Sequence, residues 1–580
     1  MNNREISAIF SQVADLLEFQ GANPFRVRAY RNGAKKISEL NESLSVIAAD
    51  ESRKLTDVEG IGKGLAEQIQ QLLETGALPM LEELQREIPP GVLNLARVPG
   101  VGPKKAVTLQ RELGINSLAD LRAACEQQRI RGLKGYGAKT EEAILKGLCV
   151  AEEAGVRMRW ADADVNAQNL LDYMRKSPHV RQIEMAGSYR RGRETIGDLD
   201  MLVDADDAAA VMDHFGRSAQ IETVVACGET KMTVRLASGL QVDLRVVPAE
   251  SFGAALQYFT GSKEHNVVIR GRAKQRGLKV NEWGVYRVTG DGEGEGAEEY
   301  LAGRTETEVY AALELPWFPP EIREARGEFD WAADGALPQL VTLEDIRGDL
   351  HMHTTASDGQ NSIDEMVVAA RQRGLQYIAI TDHSKRVSMA RGLDAGRLRR
   401  QWQEVDQVNR QVEDVEVLKG IECDILERGG MDLPDDVLAE ADWVIASLHY
   451  GQSQPRQQIT ERLLEAIENP QVDMIAHPTG RLINRRDAYD VDIDAVLAAA
   501  KKHGKILELN ANPARLDLHD IHLAAARSLG IPIVINTDAH STSGMDVMRY
   551  GILQARRGGL TAADVVNTRP WSEFKGLIGR

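Results

Sequence analysis

The sequence has 580 residues, with 70 Lys and Arg against 87 Asp and Glu, and its formal net charge is −17. At roughly 150 residues per domain, this length predicts about four domains, each able to bury its own core. No stretch approaches the roughly 20 apolar residues of a membrane span, and MNNREISAIF lacks the basic-then-apolar order of a secretion signal. We therefore expect a cytoplasmic protein that does not bind membranes. The scattered cysteines Cys125, Cys149, Cys227 and Cys423 argue against a disulfide framework or a zinc knuckle.

The net charge hides a difference along the chain. Residues 1–150 carry 20 Lys and Arg against 19 Asp and Glu, so the acidic excess lies in the remainder. A negative total would ordinarily argue against nucleic-acid binding. Because the excess is confined to one part of the chain, the local placement of charge is the better guide.

Basic residues interleave with aromatic ones in the stretch NPFRVRAYRNGAKKI, which begins at Asn23. This composition suits a surface that binds a DNA single strand or a 5′ end. A solvated helix face with an aromatic anchor is the alternative. The candidate DNA contacts in the stretch are Arg26, Tyr30, Arg31 and Lys35.

Three segments share one pattern, in which two glycines flank an apolar residue and an amphipathic helix follows. They are VEGIGKGLAEQI from Val58, VPGVGPKKAVTL from Val98 and LKGYGAKTEEAI from Leu133, spaced 40 and 35 residues apart. The glycines allow a tight turn that leaves backbone N–H groups free for a phosphate. We predict helix-hairpin-helix modules that grip the DNA backbone, with structural helical hairpins as the alternative. The candidate contacts are Gly60, Gly62, Lys63, Gly100, Gly102, Lys104 and Lys105, with Lys139 near the third turn.

Residues 187–200 read GSYRRGRETIGDLD and end in two carboxylates, Asp198 and Asp200, at the start of an apolar run. Side chains two residues apart in a strand share a face, so these carboxylates repel each other unless a cation lies between them. In the later run LQVDLRVVP, Asp243 falls on the polar face of a second predicted strand and can join them. Three carboxylates on adjacent strands suit two divalent ions that activate a hydroxyl and stabilise a leaving pyrophosphate.

The residues around this motif fit the same chemistry. Gly187 supplies a turn, Ser188 a hydroxyl for phosphate oxygens, and Arg191 a positive charge. GSYRRGRETIGDLD resembles the nucleotidyltransferase signature of family X DNA polymerases, the family of DNA polymerase beta. Residues 258–286, YFTGSKEHNVVIRGRAKQRGLKVNEWGVY, are similar to the thumb of that family.

This resemblance assigns roles to individual residues. It implies that Asp198, Asp200 and Asp243 bind two Mg²⁺ or Mn²⁺ ions, and that Asp243 also accepts the proton of the primer 3′-hydroxyl. It implies that the triphosphate is contacted by Ser188, Arg191 and Gly197. It implies that the sugar and base pocket is lined by Tyr258, Phe259, Gly261 and Asn266, and that the template side is contacted by Arg270. A plain core role is the alternative for Tyr258 and Phe259.

One position departs from the family pattern. Lyase members carry a Schiff-base lysine in the helix after the first hairpin, and the matching residue here is Gln68. A second lysine of that region matches Gly64, although Lys63 is adjacent. Glutamine cannot form an imine, so we expect DNA-end binding here without deoxyribose-phosphate lyase activity.

Nine of the 12 histidines follow residue 345, and six of those sit at the ends of apolar runs. The runs are IRGDLHMH, YIAITDH, VIASLHY, DMIAHP and VINTDAH, with VLKGIECD supplying Glu422 and KILELNAN adding a seventh strand. In this segment an apolar strand is followed by a ligating residue and a loop, and the strands alternate with helices. This pattern predicts a β/α barrel with its chemistry at the carboxyl ends of the strands. Imidazole and carboxylate ligands together suit Mn²⁺, Zn²⁺ or Fe²⁺.

This segment resembles the PHP domain, named for polymerase and histidinol phosphatase, across roughly residues 345–575. The resemblance implies up to three metal ions. Its ligand groups are His351, His353, Glu422 and Asp538 for the first ion, Glu422, His449 and His477 for the second, and Asp358, His383 and His540 for the third. Such a site favours phosphoester hydrolysis, and beside a polymerase the economical substrate is a DNA 3′ end.

The predicted fold is multidomain: all-α helix-hairpin-helix domains, an α/β nucleotidyltransferase palm and thumb, and a seven-stranded, distorted TIM-like β/α barrel. The predicted boundaries are 1–85 for DNA-end binding, 86–150 for fingers, 151–250 for the palm, 251–325 for the thumb, 326–344 for a linker and 345–580 for the PHP domain.

We expect a monomeric gap-filling polymerase of base excision repair that uses dNTPs and gapped or nicked DNA. Its 3′→5′ exonuclease could extend to abasic-site cleavage or 3′-phosphate removal. Two alternatives are an end-processing nuclease whose polymerase half mainly positions DNA, and a non-catalytic DNA-binding scaffold.

Overall fold

The computed structural model of the chain describes residues 1, 3–20, 22–40, 43–50, 52–58, 60–88, 95, 98, 101, 103–133, 135–154, 157–289 and 297–578. They form two compact units, Met1–Arg157 and Met158–Arg580. Within these ranges, no helix is both long enough and apolar enough to cross a membrane.

Within its described residues the first unit contains helices and no β-strand, in agreement with the predicted all-α fold. Its helices pack around one apolar core that draws residues from all three Gly-containing segments and from the N-terminal helices. The helices are Asn3–Phe19, Pro24–Glu39, Leu44–Ala49, Lys63–Thr75, Pro79–Glu87, Pro103–Leu113, Leu118–Glu126 and Ala138–Ala154, with short 3₁₀ turns at Leu55–Asp57 and Ile130–Gly132.

Glycine turns open the helices of the first and third repeated segments. Gly60 precedes helix Lys63–Thr75 with φ of 86°, and Gly135 precedes helix Ala138–Ala154 with φ of 87°. Both values lie in the left-handed region that favours glycine. Within the first of these helices, Leu65, Ile69 and Leu72 share one buried face. Local sequence therefore sets both the turn and the packing face.

A five-stranded sheet, the palm sheet, opens the second unit, and its strands lie side by side in the order Val180–Met185, Asp198–Ala205, Gln241–Val247, Lys231–Leu236 and Ile221–Cys227. Its strands are β2 (Val180–Met185), β4 (Asp198–Ala205), β5 (Ile221–Cys227), β6 (Lys231–Leu236) and β7 (Gln241–Val247), while β1 (Met158–Arg159) pairs with β3 (Thr195–Ile196). β4 and β7 are parallel, and the other neighbours are antiparallel. Helices Trp160–Met174 and Ala208–Gly216 contribute to the core on one face, and helix Phe252–Thr260 contributes to a cluster on the other.

The thumb follows the palm sheet and contains both helices and strands. Its helices are Phe252–Thr260, Lys263–Gln275 and Glu306–Ala311, and its antiparallel strands are β8 (Leu278–Asn281), β9 (Gly284–Thr289) and β10 (Ala297–Ala302). The stretch expected to be a linker contains helix Glu328–Ala333, with Glu328 and Phe329 buried. Glu328 accepts a hydrogen bond from the ring of His265 at 2.9 Å, which ties this helix to the thumb.

The predicted seven-stranded β/α barrel is confirmed. Its parallel strands run in sequence order: β11 (Gly348–Met352), β12 (Tyr377–Ile380), β13 (Glu416–Asp424), β14 (Trp443–Ser447), β15 (Met474–Ile475), β16 (Ile506–Asn510) and β17 (Ile533–Asn536). A parallel bridge between Met352 and Ala539 brings the first and last strands together. The helices are Ile363–Gln372, Ala395–Asn409, Asp435–Leu438, Arg456–Glu468, Ile493–His503, Asp520–Leu529, Met548–Arg557 and Trp571–Ile578.

Candidate functional sites

Three acidic residues of the palm sheet lie on neighbouring strands. Asp198 and Asp200 are two residues apart on β4, and Asp243 on the parallel strand β7 lies directly opposite Asp200. Leu199 and Met201, which alternate with the two β4 carboxylates, are buried in the core on the other face. The apolar alternation of β4 therefore turns the carboxylates to one side of the sheet, as the sequence predicts.

The carboxylates perturb one another. Burial, followed by the charges of Asp198 and Asp243, raises the pKa of Asp200 to about 7. Burial also acts to raise the pKa of Asp243, but hydrogen bonds from Lys231 and Thr233, each 2.7 Å long, outweigh it and hold that pKa below its usual value. A divalent cation relieves such repulsion, so this acidic group fits Mg²⁺ or Mn²⁺.

The Gly-Ser turn lies directly beside this acidic group. Gly187 has φ of 63°, and a Cβ atom added to it would stand 2.4 Å from Asp200 Oδ2. Glycine at this position thus permits both the left-handed turn and the close approach of the carboxylate. Ser188 in the same turn is half-buried, and Gly197 is exposed at the start of β4.

Arg191 is engaged with the thumb. Its Nε lies 3.1 Å from Glu324 Oε1, and a terminal nitrogen donates to the carbonyl of Thr260. Burial acts to raise the pKa of Glu324, but Arg557, Arg191 and neighbouring arginines outweigh it and lower the pKa to about 2. The charge of Arg191 is therefore balanced at a contact between palm and thumb, which the sequence alone did not indicate.

The loop that carries Arg191 also packs against the barrel. A Cβ atom on Gly192 would lie 2.5 Å from Leu553 in helix Met548–Arg557. From the same helix, Arg557 donates to the carbonyl of Arg191 at 2.7 Å and pairs with Glu324 at 3.0 Å. The palm loop, the thumb and the barrel thus share one buried ion-pair network.

The predicted sugar and base pocket is a compact aromatic turn. The rings of Tyr258 and Phe259 meet edge to face with centroids 5.1 Å apart, and Arg245 lies over the Phe259 ring at 4.4 Å. Asn266 donates to the carbonyl of Tyr258 at 2.7 Å, so its amide fixes the turn that ends at Gly261. Arg270, on helix Lys263–Gln275, is exposed.

The barrel brings a first group of ligating side chains together at its carboxyl end. His351 Nε2 lies 3.6 Å from Asp538 Oδ1, and His353 Nε2 lies 3.2 Å from the same oxygen. The same two ring nitrogens lie 3.6 and 3.7 Å from Glu422 Oε2. Two ligands about 2.1 Å from one tetrahedral ion stand about 3.4 Å apart, so these separations fit a shared metal.

A second group surrounds the other oxygen of Glu422. His477 Nε2 lies 3.2 Å and His449 Nε2 3.5 Å from Glu422 Oε1. In a third group, Asp358 Oδ2 lies 3.5 Å from His383 Nε2 and 3.4 Å from His540 Nε2. The three predicted sets therefore meet in one pocket, with Glu422 between two of them.

The described residues fit a metal rather than a hydrogen-bond network alone. Within the described part of the chain, His351 Nε2 and both ring nitrogens of His353 are buried and make no hydrogen bond. Leaving such groups unsatisfied is costly, and a coordinated cation removes the cost. The distances also extend the predicted sets, because His353 lies within ligand range of Asp358, His383 and His540.

Two buried acids orient the ligands, and sequence analysis did not single them out. Glu508 accepts from His351 Nδ1 at 2.7 Å, and Asp424 accepts from both the backbone N–H and Nδ1 of His449 at 3.0 Å. Each bond turns Nε2 of its histidine toward the metal pocket. A signal was present: Asp424 follows Glu422 by two residues on β13, and Glu508 interrupts the apolar run of β16.

The N-terminal candidates are partly exposed and partly buried. Arg26 is exposed, whereas Tyr30 is buried with its ring edge against Phe10 at a centroid distance of 5.6 Å. The exposed aromatic of this stretch is Phe25, with Arg28 over its ring at 5.7 Å. Phe25 is therefore better placed than Tyr30 to stack on a base.

The remaining N-terminal candidates differ in their surroundings. Arg31 pairs with Asp15 at 3.1 Å, and Lys35 is half-buried. Gly60, Gly62 and Lys63 are exposed, and Lys105 Nζ lies 6.0 Å from the Tyr136 ring centroid. Gly100, Gly102 and the side chain of Lys104 lie outside the described residues.

Known families match four parts of the chain. A helix-hairpin-helix domain matches residues 1–78, a SAM-like helix-hairpin-helix tandem 92–148, the DNA polymerase beta thumb 255–324 and the PHP domain 349–512.

A full-length relative is the "DNA polymerase/3′-5′ exonuclease PolX" of Bacillus subtilis (strain 168), 41% identical with 100% of both chains covered. The "Probable phosphatase Teth514_1060" of Thermoanaerobacter sp. (strain X514) is 33% identical over 38% of this chain and 89% of its own.

Fold and sites together define a class of protein: a polymerase-beta-type palm and thumb followed by a PHP barrel. The full-length similarity then settles the family. The chain belongs to the family X DNA polymerases that carry a C-terminal PHP domain.

Proposed function

We propose that this protein is a gap-filling DNA polymerase and a 3′→5′ exonuclease, with one centre in the palm and the other in the barrel. The observation that carries the proposal is the presence of two separate ligand sets in one family X chain. One is the acidic group of Asp198, Asp200 and Asp243, and the other surrounds Glu422. The full-length relative that is named for both activities supports it.

In the palm, Asp198, Asp200 and Asp243 would hold two Mg²⁺ or Mn²⁺ ions. Bound there, the ions would supply charge for activating the primer hydroxyl and stabilising pyrophosphate. Asp243 accepts the proton of the 3′-hydroxyl, and Ser188, Gly197 and Arg191 contact the triphosphate. Because Arg191 now pairs with Glu324, its guanidinium exchanges one anionic partner for another when a dNTP enters.

The thumb residues complete the nucleotide pocket. Tyr258, Phe259 and Gly261 face the sugar and base, Asn266 holds their turn in place, and Arg270 contacts the template. The direct hydrogen bond from Asn266 to Tyr258 supports a positioning role for the amide.

In the barrel, His351, His353, Glu422 and Asp538 would hold one ion, Glu422, His449 and His477 a second, and Asp358, His383 and His540 a third. Mn²⁺, Zn²⁺ or Fe²⁺ suit these nitrogen and oxygen ligands. Such ions supply an activated water and neutralise a phosphate, which favours hydrolysis of phosphoesters. Cleavage at abasic sites and removal of 3′ phosphates fit the same chemistry.

The first unit binds the DNA. Residues 1–85 contact the ends of a gap, and residues 86–150 contact the primer side. The domains that follow in the chain are the palm at 151–250, the thumb at 251–325, a connecting segment at 326–344 and the PHP domain at 345–580. The contacts run through Arg26, Arg31 and Lys35 and through Gly60, Gly62, Lys63, Gly100, Gly102, Lys104 and Lys105, whereas the buried Tyr30 packs in the helical core. Base excision repair in the cytoplasm by a monomer is the setting that we propose.

The test is one assay with a 5′-labelled, one-nucleotide gapped duplex, Mn²⁺, and dNTPs either present or withheld. Extension with dNTPs and 3′ shortening without them are the expected results. Shortening alone would favour an end-processing nuclease whose palm positions DNA, and neither reaction would favour a non-catalytic scaffold. The complete ligand sets favour the two-centre proposal over both.

A further inference from the structure

The barrel pocket contains one cationic side chain that no part of the proposal above uses. Arg515 lines this pocket of 340 Å³ together with the ligands Asp358, His383 and Glu422. Its Nε stands 3.7 Å from Asp538 Oδ2, and its side chain is 18% exposed. Within the described residues, the guanidinium makes no hydrogen bond, so its terminal nitrogens are available to a ligand.

Charge makes this placement informative. Four histidines line the pocket, two more, His351 and His353, belong to its ligand groups, and the ligand distances suit cations. A permanent guanidinium charge beside metal ions is repelled by them. Asp538, 3.7 Å away, offsets this repulsion only in part, because its carboxylate would also bind a metal. An anion that bridges the metals and the guanidinium removes this repulsion. A phosphodiester is such an anion, and arginine presents a planar donor fork that matches it.

The backbone around Arg515 is held on both sides. Asn510 donates its N–H to the carbonyl of Asp517 at 2.6 Å, and Thr479 donates its hydroxyl to the Asp517 side chain at 2.9 Å. Ile483 donates to the carbonyl of Ala514 at 2.7 Å. This loop follows β16 and is bonded to the loop that follows the neighbouring strand, so the backbone that carries Arg515 is held in place at the edge of the pocket.

We infer that Arg515 is a catalytic residue of the exonuclease that binds the scissile phosphodiester of the 3′-terminal nucleotide. The inference rests on the exonuclease activity proposed above and adds to it a substrate-contacting group that is not a metal ligand. At 340 Å³ the pocket is at the small end of ligand sites, which suits one nucleotide. In the hydrolysis, water forms a new P–O bond while the bond from phosphorus to the 3′-oxygen of the preceding nucleotide breaks, and that oxygen leaves as a hydroxyl with a proton from the water. Bidentate contact with two phosphate oxygens neutralises the charge that builds on them during this exchange.

The experiment compares wild type with Arg515→Gln, Arg515→Lys and the control Arg410→Gln. Arg410 is exposed at the end of helix Ala395–Asn409, outside the pocket. Each purified full-length protein is given Mn²⁺ and a 5′-labelled single-stranded oligonucleotide, and kcat and KM are measured with the metal content and the inhibition constant of dTMP.

Arg515→Gln should lower kcat/KM about 10²-fold and weaken dTMP inhibition, with metal content and gap filling unchanged. Arg515→Lys should restore part of the loss, because it keeps the charge but not the fork.

Two results would overturn the inference while leaving the exonuclease intact. Activity of Arg515→Gln equal to that of Arg410→Gln would show that no phosphate contact is made. Loss of metal in step with activity, at an unchanged dTMP inhibition constant, would show that Arg515 only supports Asp538. A wild-type protein with no exonuclease would instead refute both this inference and the proposed nuclease.

Discussion

The palm and the barrel offer two candidate metal sites that differ in how far the fold prepares them. In the barrel, His351 and His353 are fully buried, and Glu508 and Asp424 already orient two ligand rings. In the palm, Asp198 is exposed. Deep, pre-oriented ligands retain their ions, whereas open carboxylates need a substrate to complete the coordination. We therefore expect resident ions in the barrel, and ions that arrive with the dNTP in the palm.

Loss of a shared barrel ligand should have the largest effect. His353 lies within ligand range of two groups. His353→Ala should lower exonuclease kcat about 10⁴-fold and reduce the bound metal, because one change disturbs two ions. Gap filling should stay within about twofold of wild type, since β4 and β7 are untouched. If His353→Ala lost exonuclease activity and gap filling together, the two sites would not be independent.

Loss of a palm carboxylate should be nearly as large but without loss of resident metal. Asp200→Asn removes a ligand and also a buried negative charge, whose burial and repulsion by Asp198 and Asp243 raise the pKa of Asp200 to about 7. Primer extension should fall about 10³-fold, while thermal stability stays the same or rises. Extension of a gapped duplex and a melting curve measure the two effects. A clear drop in melting temperature would mean that the carboxylate is structural.

An intermediate effect is expected when an orienting acid is changed. Glu508→Gln keeps the size of the side chain but weakens the bond that fixes the His351 ring. Exonuclease activity and metal affinity should fall about 10- to 100-fold, and polymerase activity should not change. Glu344→Gln, at an exposed acid, serves as the control. Equal behaviour of the two variants would show that ring orientation does not matter.

The smallest effect concerns the contact between the two regions. Glu324 has a pKa lowered to about 2, so its ion pairs stabilise the fold above its ordinary pKa and are lost as the pH falls from about 4.5 toward 2. Glu324→Gln should lower the unfolding free energy at pH 7 by about 3 kcal/mol. Denaturation of both proteins from pH 7 down to pH 4 should show the difference shrinking below about pH 4.5. A difference that grew with acidity would contradict this sign.

Much of both sites was predictable because each ligand ends an apolar run. That rule placed His351, His449 and Asp538 at strand ends, and strand alternation placed Asp243 beside Asp200. Pairings between distant segments were not predictable. Arg191 and Glu324 are 133 residues apart, and only the packing of palm on thumb brings them together.

Local composition also misled in two places. Tyr30 lies among arginines and lysines, yet its ring points into the helical core. The stretch 326–344 has mixed polarity, yet Phe329 and Glu328 are buried by the thumb. In both cases tertiary packing decided the outcome, which neither charge nor polarity along the chain reveals.

Metal content after gel filtration without DNA or nucleotide tests the contrast between the two sites most directly. The protein should retain up to three ions per chain, and Asp198→Ala with Asp200→Ala should retain as many. His353→Ala should retain fewer. If the number of bound ions fell in the palm variant and not in His353→Ala, this contrast would be contradicted. That result would show that the palm holds its ions without substrate and that the barrel does not hold resident ions.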